Sequence, residues 1–224
     1  MNAADEKTAA NSARDFLSMH SAFSEFARSA AKMFSEHSAP IAADIAGAFS
    51  RAANANRLRG ADEGGVLSHF PPADRKLRSA IKNCFAAPPA ECSPLFAAAG
   101  RLSPFLYWRA AGGGKAPVAA AELVGPAGVC ECPHFRAGLF FQPPQMFYRW
   151  HRHAAEEIYL PLCGKAEWHA EGKTPIIVSP PQCVLHRSWM AHAMRTFTSP
   201  ICAIWGWRGD IAMKHYELCP APKN

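Results

Sequence analysis

From residue 12 to residue 36 the apolar positions recur every three or four residues: Phe16, Met19, Phe23, Phe26, Ala30 and Met33, with polar residues between them. That period predicts a helix with one buried stripe. Ser38 or Pro40 ends it. Ile41, Ile45, Ala48 and Phe49 repeat the pattern in a second helix. Residues 54–72 hold Asn, Gly and Pro and read as a loop. A third helix is predicted from Pro72 to Phe85, with Asp74 in its first turn and Leu77 and Ile81 inward. The Ala- and Pro-rich stretch 86–100 allows one more short helix. These helices carry no chemistry of their own. Their apolar stripes are packing surface, against the rest of the chain or against a second copy in a homodimer.

The period changes near residue 105. Pro and Gly become frequent, and short runs rich in Val, Ile, Phe, Trp and Tyr replace the helical repeat. The predicted strands are Val118 to Val124, Ala137 to Gln142, Met146 to His153, Glu156 to Cys163, Ala166 to Ala170, Ile176 to Ser179, Cys183 to His186 and Ile201 to Arg208. Many short strands with turns between them predict a β-sandwich or barrel. The expected fold class is therefore mainly β with an N-terminal helical segment, residues 1–104, before a β-domain, residues 105–224. No internal repeat and no Gly-rich phosphate loop is evident.

Composition narrows the function classes. The chain has 224 residues, 49% hydrophobic and 19% charged, enough for a sizeable core. Its formal net charge is +6, but Lys and Arg are scattered, with no basic run interleaved with aromatics. Nucleic acid is not an expected partner, and attraction for a small anionic group is. The first residues carry acids early and no apolar core, so no signal peptide is expected. No apolar run is long enough to span a bilayer. The expectation is a cytoplasmic protein without membrane contact. Eight cysteines, at 84, 92, 130, 132, 163, 183, 202 and 219, show no doubled CxxC spacing and are expected to be reduced and mostly buried. Cys130 and Cys132 offer two metal ligands, too few for a site.

The chemistry concentrates in HRHAAEEIY, residues 151–159. Residues two apart in a strand share a face. His151, His153, Glu157 and Tyr159 are all odd-numbered, so one strand, or a turn that keeps phase, points all four the same way. Two imidazoles and a carboxylate suit one divalent transition metal ion per chain: Zn, Fe, Mn, Co or Ni. A solvent-facing polar strand is the plain alternative. A further histidine, His186 or His192, is available downstream, and spacing alone does not choose between them.

The run H-x-H, three residues, E, six residues, Gly164 resembles the first motif of the cupin superfamily, a double-stranded β-helix or jelly-roll barrel. The family motif opens with a glycine six residues before the first histidine, where this chain has Gln145. The second motif ends in a histidine after a proline and a glycine. Two frames fit it. PQCVLH ends at His186, with Cys183 in the glycine position. RSWMAH ends at His192, with Arg187 and Trp189 in the proline and glycine positions.

A narrower resemblance rests on Tyr148, HRHAAEEIYLPLCG (151–164), HRSWMAHAMRT (186–196) and WGWRGDI (205–211). It covers roughly residues 100–215 and is to the bacterial dimethylsulfoniopropionate lyases of the cupin type. The resemblance implies metal ligands His151, His153, Glu157 and His192, with Tyr159 as catalytic base and Tyr148 as a second functional tyrosine. It implies a small zwitterionic substrate, a carbon–sulfur β-elimination, and the products dimethyl sulfide and acrylate. A phenol is a poor base at neutral pH unless a nearby cation stabilises its anion. A sulfonium is best held by aromatic faces, and Trp205 and Trp207 share a strand face that provides them; filling the core is their alternative role. Tyr148 is even-numbered and needs a bulge or a rim position to join the ligand face. Arg195 is a candidate for the substrate carboxylate, and Asp210 for closing a turn. Two other functions fit the same ligands: an Fe(II) dioxygenase and a non-catalytic small-molecule-binding cupin.

Overall fold

The structure is a computed structural model that describes residues 3–59, 71–90, 92–111 and 118–222, with side chains of the first helix from Asp15 onward. Four helices come first: α1 Ala3–Ser35, α2 Pro40–Ala53, α3 Arg75–Ala86 and α4 Leu95–Leu102. Most of the loop expected over 54–72 lies outside the described residues. The strands follow: β1 Arg109–Ala111, β2 Val118–Gly125, β3 Cys130–Glu131, β4 Arg136–Gln142, β5 Phe147–Arg152, β6 Glu156–Cys163, β7 Ala166–Ala170, β8 Ile176–Val178, β9 Val184–His186, β10 His192–Thr196, β11 Ile201–Arg208 and β12 Glu217–Leu218.

The helical stripe of α1 is rotated from the expected one. Met19, Phe23, Phe26, Ala30 and Phe34 are buried, whereas Phe16 is exposed and Met33 is only partly covered. Phe34 continues the i, i+4 row below Ala30, so it displaces Met33 from the stripe. In α2, Ile41, Ile45 and Phe49 are fully buried, each contributing roughly 1.5–3 kcal/mol of transfer free energy. Asp74 precedes α3 rather than lying inside it. As N-cap its carboxylate accepts from the Leu77 backbone N–H at 2.7 Å, which satisfies one of the helix's orphan donors.

The strands form two sheets. One has the order β1-β2-β4-β11-β6-β9, with β3 beside β2, and the other β12-β5-β10-β7-β8. The first sheet is covered on both sides, which is why β4, β6 and β11 read as almost unbroken apolar runs. In β11, Cys202 and Ile204 face the helices, while Ile201, Ala203, Trp205 and Trp207 face the barrel interior. In β6, Ile158, Leu160 and Leu162 join the helical core, leaving Glu157 and Tyr159 inside the barrel. Gly206 lets α2 approach, since a Cβ there would lie 2.4 Å from Ile45 Cδ1. Residues on both sides of position 104 therefore share one core.

Gly164 closes the β6–β7 turn in the left-handed region at φ 71°, and a Cβ would meet the Pro200 carbonyl oxygen at 2.1 Å. Gly164→Ala is expected to destabilise the fold by about 1–3 kcal/mol from strain and overpacking, read as a lowered melting temperature. A melting temperature equal to wild type would contradict this packing.

Fewer cysteines are buried than expected: Cys84, Cys163 and Cys202 are, whereas Cys130, Cys132, Cys183 and Cys219 are half-buried and Cys92 is exposed. No helix among the described residues is long and apolar enough to cross a membrane.

Candidate metal centre

His151 and His192 face each other on paired strands of the second sheet, β5 and β10. Glu157 stands on β6 of the first sheet, and His153 on the short link between β5 and β6. The four residues thus do not share a single strand. They converge across the barrel because the link preserves the alternation between the two sheets. One ligand atom from each of His151, His153, Glu157 and His192 lies within 4.8 Å of all the others. All four side chains are buried, each 2% exposed.

The donor set fits a cation. Each imidazole has its Nδ1 against a backbone carbonyl: His151 on Arg149 O at 2.7 Å, His153 on Ala155 O at 2.9 Å, and His192 on Met190 O at 2.9 Å. A carbonyl only accepts, so each Nδ1 carries the proton and each Nε2 presents its lone pair. The Nε2 atoms of His153 and His192 then lie 3.2 and 3.0 Å from Glu157 Oε2. Lone pairs facing a buried carboxylate repel unless positive charge sits among them. A divalent ion supplies that charge with ligands of the right type. Burial alone would raise the Glu157 pKa; it is positive charge at the His153 and His192 side of the carboxylate that holds it well below its usual range. Burial, followed by His192, pushes His151 well below the ordinary imidazole value, so it is neutral and ready to ligate.

Trp207 belongs to this site in a way its sequence position did not reveal. Its Nε1 donates to Glu157 Oε1 at 2.6 Å, and its ring lies 4.2 Å from that of His153. It turns Glu157 so that Oε2 faces the imidazoles. Trp205, its neighbour on the same face, packs edge-on to it at 5.7 Å.

A pocket opens beside the cluster, walled by Phe140, Tyr148, Tyr159, Trp205, Met213 and Tyr216, with Arg109 and Glu122 also lining it. Tyr159 pairs across strands with Trp205 and meets Phe140 edge-on at 5.6 Å. Burial, then the Glu157 charge, raises its phenol well above the usual value. Tyr148 joins the same side despite its parity. The β5–β10 register runs from His151↔His192 to Tyr148↔Met194, three residues against two, so β5 carries a bulge at Arg149 and Trp150. The Tyr148 ring lies 4.4 Å from that of His151, and its hydroxyl lies 3.0 Å from that of Tyr216. Burial, then Tyr216, raises its pKa as well. Glu122 sits in a buried pair with Arg136 at 2.6 Å, and Arg136 also holds Ile211 O at 3.0 Å, anchoring the segment that leads to Met213 and Tyr216.

Three sequence expectations change or resolve here. Arg195 is exposed, lies over the Phe147 ring and does not line the pocket beside the cluster. Asp210 closes a turn, as expected, by accepting from the Ala212 N–H. His186 is not among the four converging ligands; its ring stacks on that of His192. Tyr216 was missed, because it lies in irregular chain beyond the last motif and only the fold brings it to the pocket.

The fold and the buried set of three histidines and one glutamate define a cupin barrel with a site that could hold a metal ion. The dimethylsulfoniopropionate lyase family model matches residues 72–203, more than half of the chain, and the chain belongs to that family. It is 38% identical over 89 residues to the dimethylsulfoniopropionate lyase DddQ of Ruegeria pomeroyi, a match covering 40% of this chain and 44% of that protein. The crystal structure of DddQ from the same organism superimposes with a TM-score of 0.56 at 25% identity, over 71% of this chain and 87% of the other. A structure described under the DMSP lyases RdDddP and RnDddQII superimposes with a TM-score of 0.66 at 24% identity, over 90% of this chain and 98% of the other, and is similar in fold.

Proposed function

We propose that this chain is a metal-dependent β-elimination lyase that cleaves dimethylsulfoniopropionate to dimethyl sulfide and acrylate, with Tyr159 as general base. The observation that carries the reading is the buried His151/His153/Glu157/His192 set with Tyr159 two residues along β6, opening into an aromatic pocket. Family membership supports the substrate class.

His151, His153, Glu157 and His192 would hold a divalent ion, whose positive charge would stabilise the substrate's carboxylate end and the phenolate form of Tyr159. Tyr159 takes the proton from the carbon next to the carboxylate. The C–H electron pair becomes the new C=C bond, the C–S bond breaks, and neutral dimethyl sulfide leaves with the electron pair of that broken bond. Phe140, Trp205 and Tyr148 present ring faces and edges to the sulfonium, where cation–π attraction substitutes for hydrogen bonds. Trp207 positions Glu157. Tyr148, tied to Tyr216, is the second tyrosine within reach of the substrate. The largely apolar wall excludes water and strengthens each charge interaction.

Headspace gas chromatography tests this reading. Chelator-stripped protein is reloaded with Mn, Fe, Co, Ni or Zn and given dimethylsulfoniopropionate. Dimethyl sulfide released only after reloading is the expected result. No release with any of the five metals would sink the assignment, and oxygen consumption would then test the dioxygenase alternative.

A further inference from the structure

His186 is 1% exposed, and neither of its ring nitrogens has a hydrogen-bond partner among the described residues. A buried polar group left so costs roughly 1–3 kcal/mol, which an apolar side chain would avoid. What the ring does make is a contact through its face. It lies parallel to the His192 ring, with centroids 4.0 Å apart and planes 9° from each other. Each ligand imidazole has its Nδ1 fixed by one backbone carbonyl, but a single hydrogen bond still lets a ring swing about that axis. His192 has its plane held by a parallel ring in close contact, whereas the ring most nearly parallel to His153, that of Tyr216, lies 6.4 Å away. His186 is itself fixed from β9, directly across from Glu157 on β6, and by Trp168 at 6.2 Å on β7.

From this geometry we infer that His186 is a positioning residue: its flat face holds His192 in the orientation that aims Nε2 at the centre of the ligand set. The nitrogens of His186 are not used; the plane is. The inference rests on the metal-site reading above. It makes His186 part of the reason that β9, a three-residue edge strand, closes against β6 beside the site.

The test separates a flat surface from mere bulk. His186→Phe keeps a planar ring, His186→Leu fills the space without one, and His186→Ala removes both. Metal affinity is measured by chelator competition, with Co(II) absorption reporting ligand geometry, and the melting temperature of each metal-free protein reports folding. The expected result is near-wild-type affinity and spectrum for His186→Phe. His186→Leu should lose about 10–100-fold in affinity and show an altered Co(II) spectrum, with a metal-free melting temperature close to that of His186→Phe. Wild-type affinity in His186→Leu overturns the inference. Equal loss in His186→Phe and His186→Leu also overturns it, since a planar ring would then not suffice. Failure of the wild-type chain to bind metal would instead strike the metal-site reading itself.

Discussion

Tyr159→Phe is expected to lower dimethyl sulfide release by about 10²–10⁴-fold, the usual contribution of a positioned acid or base, and to leave metal affinity unchanged. The ring of Tyr159 packs on Phe140 and Trp168, at 5.6 and 5.0 Å. Phenylalanine preserves those contacts and removes only the hydroxyl. The ligands are four other residues, so the ion remains bound. Rate and metal content are measured on the same preparation. A variant that keeps full activity and full metal would transfer the base to another group. Tyr148, whose hydroxyl lies 3.0 Å from that of Tyr216, would be the next residue to replace.

Glu157→Gln acts on a different quantity. The amide keeps the shape and still accepts from Trp207 with its oxygen. Its NH₂ then faces the Nε2 lone pairs of His153 and His192, which lie 3.2 and 3.0 Å from Oε2 in the wild type. The donors that the metal-free site lacks are thereby supplied. Metal affinity is expected to fall by at least about 100-fold, and activity with it, while the metal-free melting temperature stays at or above that of the metal-free wild type. Removing an ordinary buried carboxylate from its partners would lower stability; this substitution removes a repulsion instead. Paired calorimetry, with and without metal, checks both halves. A lower metal-free melting temperature would show that His153 and His192 are held to Glu157 as a charged network rather than as three ligands awaiting a cation.

Much of this site was legible because alternation is strict. Parity placed His151, His153, Glu157 and Tyr159 together. The phase survived the passage between sheets because the link from Arg152 to Glu156 is short. Tyr148 broke the rule through a bulge, which changes the count by one without any distinctive residue. The strand carrying His192 was not predicted at all. Its boundary turn is made by Trp189 at φ 61°, not by glycine, so the usual punctuation is missing. The same holds at Gln145, which takes φ 57° where the motif has glycine and ties to Phe197 O. Both departures from the motif keep the backbone shape that glycine supplies more cheaply. Short strands such as Arg109–Ala111 and Glu217–Leu218 exist through their pairing partners, and local sequence carries little trace of them. The α1 stripe shifted because Phe34 and Met33 are adjacent apolar residues, and only tertiary packing selects between them.

The four ligands are drawn from both halves of the barrel: His151 and His192 from one sheet, Glu157 from the other, His153 from the chain that joins them. An ion bound there would be a rivet through two layers that elsewhere meet by side-chain packing and hydrogen bonds such as that from Gln142 Nε2 to Met194 O at 3.3 Å. Its binding free energy is then also cohesion of the barrel. At a free metal concentration 100 times the dissociation constant, mass action adds about 2.7 kcal/mol to the stability of the folded chain. Whatever loosens the two sheets from each other, heat or denaturant, must also release the ion. The candidate metal centre and the structural seam of this protein are the same place.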